Sequence, residues 1–237
     1  MLKIDGAVAR IEFYNSKANS LSLESLKQIK SAIEQASNDS SVRIIILQSG
    51  GDKAFCGGAS FDEMRALESK ASASSFFYGF AEVMLGMISC PKPVIVRAQG
   101  AAVGGGVGLI AAADYVFASE SATVKLSELA IGLGAMVIEP FVTAKVGSGN
   151  FLNMSLDCEA RSAEWCVCNG LFSRTATSLS ELDDLINEKV KIFSNFRAEA
   201  FSLLKSESWK RHNISSATLR ERADMSGALA LSAKIPI

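Results

Sequence analysis

The chain has 237 residues, of which 49% are hydrophobic and 21% charged, and a formal net charge of −1. That is enough chain to bury a sizeable core, and the near-neutral balance gives no whole-protein reason to expect nucleic acid or an anionic membrane as partner. The five cysteines, Cys56, Cys90, Cys158, Cys166 and Cys168, include no CxxC pair, so neither a disulfide framework nor a zinc site is indicated and a reducing, cytoplasmic setting is expected. The first residues lack the apolar core of a signal peptide, and the longest uncharged run, residues 98–113, is short for a bilayer span and rich in glycine.

In chain order, the alternation from Val8 to Phe13 predicts a half-buried strand. Residues 21–36 place Leu23, Leu26, Ile29, Ile33 and Ala36 at spacings of three and four, an amphipathic helix with Ser22 as N-cap. Residues 42–47 contain the unbroken apolar run Ile44-Ile45-Ile46-Leu47, which predicts a strand covered on both faces. Residues 61–78 read as an irregular helix, with 69–75 expected as a mobile loop over a site. Residues 80–88 are helical, and Cys90-Pro91-Lys92-Pro93 breaks the pattern.

Two glycine turns follow apolar runs. The first is Gly57-Gly58 in AFCGGASFDEM (residues 54–64). The second is Gly104-Gly105-Gly106 in QGAAVGGGVGLIAAADYVFASESATVKLSELAIGLG (residues 99–134). Glycines allow backbone N–H groups to come close to a ligand. The apolar segment 107–113 reads as a buried helix whose first N–H groups would face whatever sits over the turn, an arrangement suited to an anionic oxygen. Asp114 ends that segment, 115–118 read as a strand, and Glu128 stands among apolar neighbours, where a carboxyl tends toward a raised pKa. Glu139-Pro140 opens a further helix. Residues 160–170 read as helix, 171–175 as a short strand, and 179 onward as helix almost throughout. With no internal repeat and no linker, one α/β domain is the economical reading, with residues 1–194 as core and 195–237 as a helical extension of it.

Bland readings compete at each position. Glu139 suits a helix N-terminus better than a second base, and Asp62 and Glu63 suit a solvated helix start. His212, the single histidine, sits among Lys210, Arg211 and Asn213 and offers no catalytic triad. Cys56, with no histidine nearby, reads as a packing thiol.

Taken together, the two glycine turns, Asp114, the Glu-x-x-x-Gly of Glu128 to Gly132, Asn19-Ser20-Leu21, Cys90-Pro91-Lys92-Pro93-Val94 and Glu221-Arg222-Ala223 resemble the crotonase, or enoyl-CoA hydratase/isomerase, superfamily along essentially the whole chain. The resemblance implies a crotonase-type spiral of ββα turns and a C-terminal helical region that builds trimers or hexamers. Its ligand would be an acyl-CoA or acyl-carrier thioester, with coenzyme A part of the substrate and no metal or other cofactor. It implies an oxyanion hole at Gly57 and Gly105, Glu128 as catalytic acid/base, and substrate contacts at Lys17, Ala18, Ala54, Phe55, Gly57, Ala59, Gly104, Gly105 and Gly108. The family's hydratases carry a second glutamate where this chain has Gly108, a pattern that resembles the family's Δ3,Δ2-enoyl-CoA isomerases and some dehydratase-like members. Methylglutaconyl-CoA hydratases and a catalytically silent binding or assembly protein stay open as alternatives. The apolar positions Leu219, Ala223, Leu229 and Leu231 are expected to face a partner subunit.

Overall fold

The computed structural model describes residues 1–233. The run Ile44-Ile45-Ile46-Leu47 is buried completely, as a strand without polar alternation requires. It forms β3 (Ile44–Ser49) within a six-stranded sheet ordered β1 (Leu2–Asp5), β2 (Val8–Phe13), β3, β5 (Val94–Ala98), β7 (Tyr115–Ser119) and β10 (Arg174–Ala176). β1 and β2 pair antiparallel, and every later pairing in this sheet is parallel.

Each of β3, β5 and β7 is followed at once by a short strand that leaves the large sheet. These are β4 (Ala54–Cys56), β6 (Ala101–Val103) and β8 (Thr123–Lys125), which pair in parallel in a second sheet ending at the antiparallel β9 (Arg161–Ser162). Helix then follows: α2 (Phe61–Arg65) and α3 (Lys70–Ser89) after β4, and α4 (Gly105–Ala111) after β6. After β8 come a 3-10 turn, Leu129–Ile131, and α5 (Glu139–Asp157). Successive ββα turns therefore stack as a spiral, each giving one strand to each sheet. Side-chain amides tie one turn to the next. Asn19 Nδ2 donates to Gly50 O at 2.9 Å and Ala54 O at 2.8 Å, and Gln99 Nε2 donates to Ser49 Oγ at 2.8 Å and Ala54 O at 3.0 Å.

Local chemistry sets most helix ends. Ser22 caps α1 (Leu23–Asn38) as predicted, accepting from Ser25 N–H at 3.1 Å. The expected loop at 69–75 is instead the first turn of α3, because Ser69 and Ser72 form a reciprocal capping box that fixes it as helix. α3 is apolar and long enough to cross a bilayer by length and composition, yet half of its most apolar stretch is buried in contacts with α1, α4 and the C-terminal helix. The helix expected at 160–170 shortens to α6 (Ala163–Cys168), since Arg161–Ser162 pairs with β8 and Ser162 supplies the cap. The strand expected at 171–175 appears slightly later as β10. α7 (Leu179–Ser194), α8 (Ala198–Lys210) and α9 (Ser216–Ser232) complete the described chain; residues 234–237 of the C-terminal extension lie outside the described residues.

The extension docks on its own core. Leu219 and Ala223 are fully buried within this chain, where α9 lies along α3 so closely that a Cβ at Gly227 would stand 2.8 Å from Ser74 N. The expectation that these two residues face a partner is therefore corrected. Leu229 and Leu231 remain 37% and 38% exposed. α8 is held by a buried ion pair: Lys205 Nζ donates to Asp114 Oδ2 at 2.6 Å, and Asp114 also accepts from Val94 N–H at 2.8 Å. Burial pushes the Asp114 carboxyl up, opposed by the nearby Lys205 ammonium.

Removing one member of such a pair leaves an uncompensated buried charge, at a cost of ~3–5 kcal/mol. Lys205→Met is expected to lower the unfolding free energy by that order, read as a lower urea midpoint, and adding Asp114→Asn to recover part of the loss. Equal midpoints for Lys205→Met and the unaltered protein would contradict this account.

Candidate active site

β4 delivers the chain to Gly57-Gly58-Ala59, and β6 delivers it to Gly104-Gly105. Gly58 (φ +85°) and Gly104 (φ +52°) adopt conformations that L side chains rarely reach. Space matters as much as angle at both. A Cβ at Gly58 would lie 2.8 Å from Val103 O, so the two turns meet backbone to backbone. A Cβ at Gly104 would lie 2.9 Å from Glu128 Oε1, so the carboxyl rests directly on the second turn. Gly104 N–H donates to Lys125 O at 2.9 Å, which sets the end of β8, and hence Ser127-Glu128, beside that turn.

Donor geometry corrects one expected role. Gly57 N–H donates to Ala18 O at 2.8 Å and is therefore committed within the chain. Gly58 N–H is directed to the Cys56 sulfur, which leaves Ala59 N–H without an acceptor among the described residues, while Leu21 N–H donating to Gly58 O at 2.8 Å and Ser60 N–H donating to Leu21 O at 2.9 Å fix the chain on either side. On the second turn, Val107 and Gly108 N–H both return to Gly104 O, leaving Gly105 N–H free as the first residue of a helix must be. Ala59 and Gly105 both line the same cavity, together with Gly57 and Gly104.

The other expected contacts are placed elsewhere. Lys17 ion-pairs with Asp62 at the surface, their side chains 68% and 52% exposed. Ala18 supplies the carbonyl that holds Gly57, Ala54 supplies the one that receives Asn19 and Gln99, and Phe55 is fully buried edge-on against Phe13 with ring centroids 5.6 Å apart. These residues support the turn and do not line the cavity. Gly108 does not open onto the cavity either. A Cβ there would meet Ile138 Cγ2 at 2.5 Å and Met84 Sδ at 2.8 Å, so the position where the family's hydratases carry a glutamate is walled by apolar side chains and has no room for one.

Among the described residues, Glu128 is the only ionisable side chain that lines the cavity. Its Oε2 is buried and has no hydrogen-bond partner among the described residues. Burial pushes its pKa up to about 7, with the N–H groups of Glu128 and Ser127 opposing more weakly. The carboxyl is thus poised to exchange a proton near neutrality. Glu139, by contrast, opens α5, accepts from Thr143 Oγ1 at 3.0 Å and ion-pairs with Arg222. Cys56 is buried with its thiol pushed up to about 12 by that burial, consistent with packing.

The cavity is small, about 80 Å³. Its walls, which sequence reasoning missed, come from Phe77 and Phe80 of α3, from residues 133–138 after the 3-10 turn, and from Ser226 of α9. Nothing in the pattern of 133–138 marks it as a wall, because that segment has no periodicity and is placed by its neighbours. Arg222 Nη1 donates to Met136 O at 3.0 Å and pairs with Glu139, strapping α9 over this segment.

A carboxyl whose folded pKa exceeds its unfolded value contributes stability below the unfolded value, and that contribution is lost as pH rises through the folded one. For Glu128 the window runs from 4.5 to about 7. Glu128→Gln is therefore expected to be more stable than the unaltered protein above pH ~7, by about 3 kcal/mol at most, with the difference fading as pH falls toward 4.5. Thermal melts across that range check it, and equal melting temperatures at high pH would refute the buried-carboxyl account.

Comparison with known proteins agrees with this geometry. The profile of the enoyl-CoA hydratase/isomerase family matches residues 3–222. A Bacillus subtilis (strain 168) protein named "Probable enoyl-CoA hydratase" is 34% identical over 132 residues, 56% of this chain and 51% of that protein. The peroxisomal Δ(3,5)-Δ(2,4)-dienoyl-CoA isomerase of Arabidopsis thaliana is 31% identical over 184 residues, 71% of this chain and 65% of that protein. These alignments thus span from half to just under two thirds of the relatives' own lengths. The crystal structure of enoyl-CoA hydratase from Bacillus halodurans shares the fold, with a TM-score of 0.88 at 21% identity, covering 97% of this chain and 94% of that one. A profile match across nearly the whole sequence, on a spiral of ββα turns that brings two glycine turns and one buried glutamate together, places the chain in the enoyl-CoA hydratase/isomerase, or crotonase, family.

Proposed function

We propose that this protein is an enzyme acting on an acyl-CoA or acyl-carrier thioester. The thioester oxygen binds between the N–H groups of Ala59 and Gly105, and Glu128 transfers the proton. The single observation that carries the reading is Glu128: a buried carboxyl with an unpartnered oxygen and a pKa of about 7, set against the second glycine turn in an apolar cavity. Two fixed donors aimed at a developing oxyanion in a dry site are typically worth ~3 kcal/mol or more in the transition state.

Because no second carboxylate lines the cavity among the described residues, the chemistry that fits best is movement of a double bond. The Glu128 carboxylate takes a proton from the carbon between alkene and thioester carbonyl. The C–H electron pair moves into conjugation, charge gathers on the thioester oxygen, and the carboxylic acid returns the proton at the far end of the allylic system. The step balances with no cofactor beyond the coenzyme A portion of the substrate. Hydration or dehydration is the second reading, favoured by relatives named as hydratase and as carnitinyl-CoA dehydratase; there Glu128 alone would handle both water and proton. A silent member of the fold would show no turnover on a panel of 2-enoyl-, 3-enoyl- and 3-hydroxyacyl-CoAs.

We further propose a cytoplasmic homotrimer or hexamer. The five unpaired cysteines support the compartment. Apolar side chains left outside on α5 and α8, Leu156 at 73% exposure and Leu204 at 67%, support an assembly.

Three outcomes test these proposals. Glu128→Gln is expected to lower kcat by ~1000-fold or more while thioester affinity changes little, because the amide keeps the shape but cannot take the proton. In the unaltered enzyme kcat/KM should rise as pH passes through about 7 and Glu128 ionises. A variant that keeps turnover within about tenfold, or a flat profile, would move the base elsewhere. Sedimentation at micromolar concentration should give a trimer or hexamer, and a monomer would refute the assembly.

A further inference from the structure

Among the described residues, and beyond Ser127 and Glu128, every residue lining the cavity is apolar or glycine except Ser226. Ser226 lies in α9 and is 2% exposed. A buried helical serine can settle its hydroxyl on the carbonyl one turn back, as Ser155 Oγ does in donating to Phe151 O at 2.9 Å. Ser226 makes no such bond, and its hydroxyl has no hydrogen-bond partner among the described residues.

Its position is not adjustable. The next residue, Gly227, packs directly on α3, where a Cβ would lie 3.1 Å from Ala73 Cβ and 2.8 Å from Ser74 N. Arg222 fastens α9 to Met136 O one turn earlier. Toward the C-terminal end, a Cβ at Gly132, just beyond the Glu128 turn, would meet Ala233 Cβ at 3.7 Å. A firmly held helix thus presents a hydroxyl with no protein partner to an otherwise apolar wall. A ligand oxygen there would give it a direct hydrogen bond, whereas a plain hydrocarbon chain would cover it without replacing its hydration.

Resting on the thioester reading above, we propose that Ser226 is a specificity-determining residue that hydrogen-bonds a neutral oxygen on the acyl chain, a hydroxyl, ether or keto group. The enzyme then prefers oxygenated acyl groups to plain hydrocarbon ones. Among the described residues no Lys, Arg or His lines the cavity to pair a second carboxylate on the acyl chain, and an unpaired charge there would be expensive.

The test uses binding, so that it stands apart from turnover. Saturated, unreactive acyl-CoAs of equal chain length, with and without a hydroxyl beyond the β carbon, are titrated calorimetrically into the purified full chain. The unaltered protein is expected to bind the best-placed hydroxyacyl-CoA ~5-fold or more tightly than its hydrocarbon counterpart, the range of one hydrogen bond. Ser226→Ala should bind the hydroxylated compound more weakly and the hydrocarbon more tightly, so that the preference vanishes or inverts. Ser226→Thr, which keeps the hydroxyl, should retain part of it. No preference for any hydroxyl position in the unaltered protein, or the same preference in Ser226→Ala, would overturn the assignment. If neither class of thioester binds, the thioester reading fails and this inference with it. Binding with the expected preference but no turnover on the enoyl-CoA panel would leave Ser226 in its role and refute the catalytic reading alone.

Discussion

Two backbones in near contact organise this protein. At Gly58 the first glycine turn lies against Val103 O and close to Gly105 N, leaving no space for a side chain. That approach sets the N–H groups of Ala59 and Gly105 on one cavity. The surrounding hydrogen bonds keep it fixed: Ala18 O occupies Gly57 N–H, Leu21 brackets Ala59, and Lys125 O holds Gly104 N–H. Asn19 and Gln99 brace the same turns from behind through Ala54 O. The amides that remain free are therefore preorganised, which is the condition under which they stabilise charge most strongly.

Burial serves the second component. Glu128 comes at the end of the small sheet, after β8, and its carboxyl is pressed against Gly104 with one oxygen unsatisfied. In folding terms this is a fault, since a desolvated carboxylate costs stability. In chemical terms it is what brings the pKa to about 7. Stability given up at a site of chemistry is offset by the fully apolar layers around it, from Ile44 to Leu47 in the large sheet to Val107 through Ala113 beside the site.

The absence of a second carboxylate is structural as well as compositional. Ile138 and Met84 occupy the space into which a side chain at position 108 would grow, so the neighbouring core has closed around the glycine. Packing as well as composition thus keeps a second carboxylate out of position 108. The opposite wall is made by α9, whose Leu219 and Ala223 are buried against their own core. The C-terminal helix completes the cavity of its own chain.

Local patterns in the sequence determined β2, β3 and β7 of the large sheet, the cap of α1, the start of α5, the two glycine turns and the isolated Glu128. Each depends on residues adjacent in the chain: an unbroken apolar run, a serine before a periodic segment, a glycine where no Cβ fits. The repetition of ββα turns has no sequence repeat behind it, because β4, β6 and β8 are three residues each, too short to carry a periodicity. Tertiary structure alone decided which amide is free, since Gly57 and Ala59 differ only in whether Ala18 O is within reach. It also decided that Gly108 faces Ile138 and Met84, that Leu219 faces α3, and that Ser226, more than 90 residues from Glu128 in the chain, borders the same cavity. Contacts between distant segments depend on how helices and turns pack in three dimensions, and neither composition nor spacing records that.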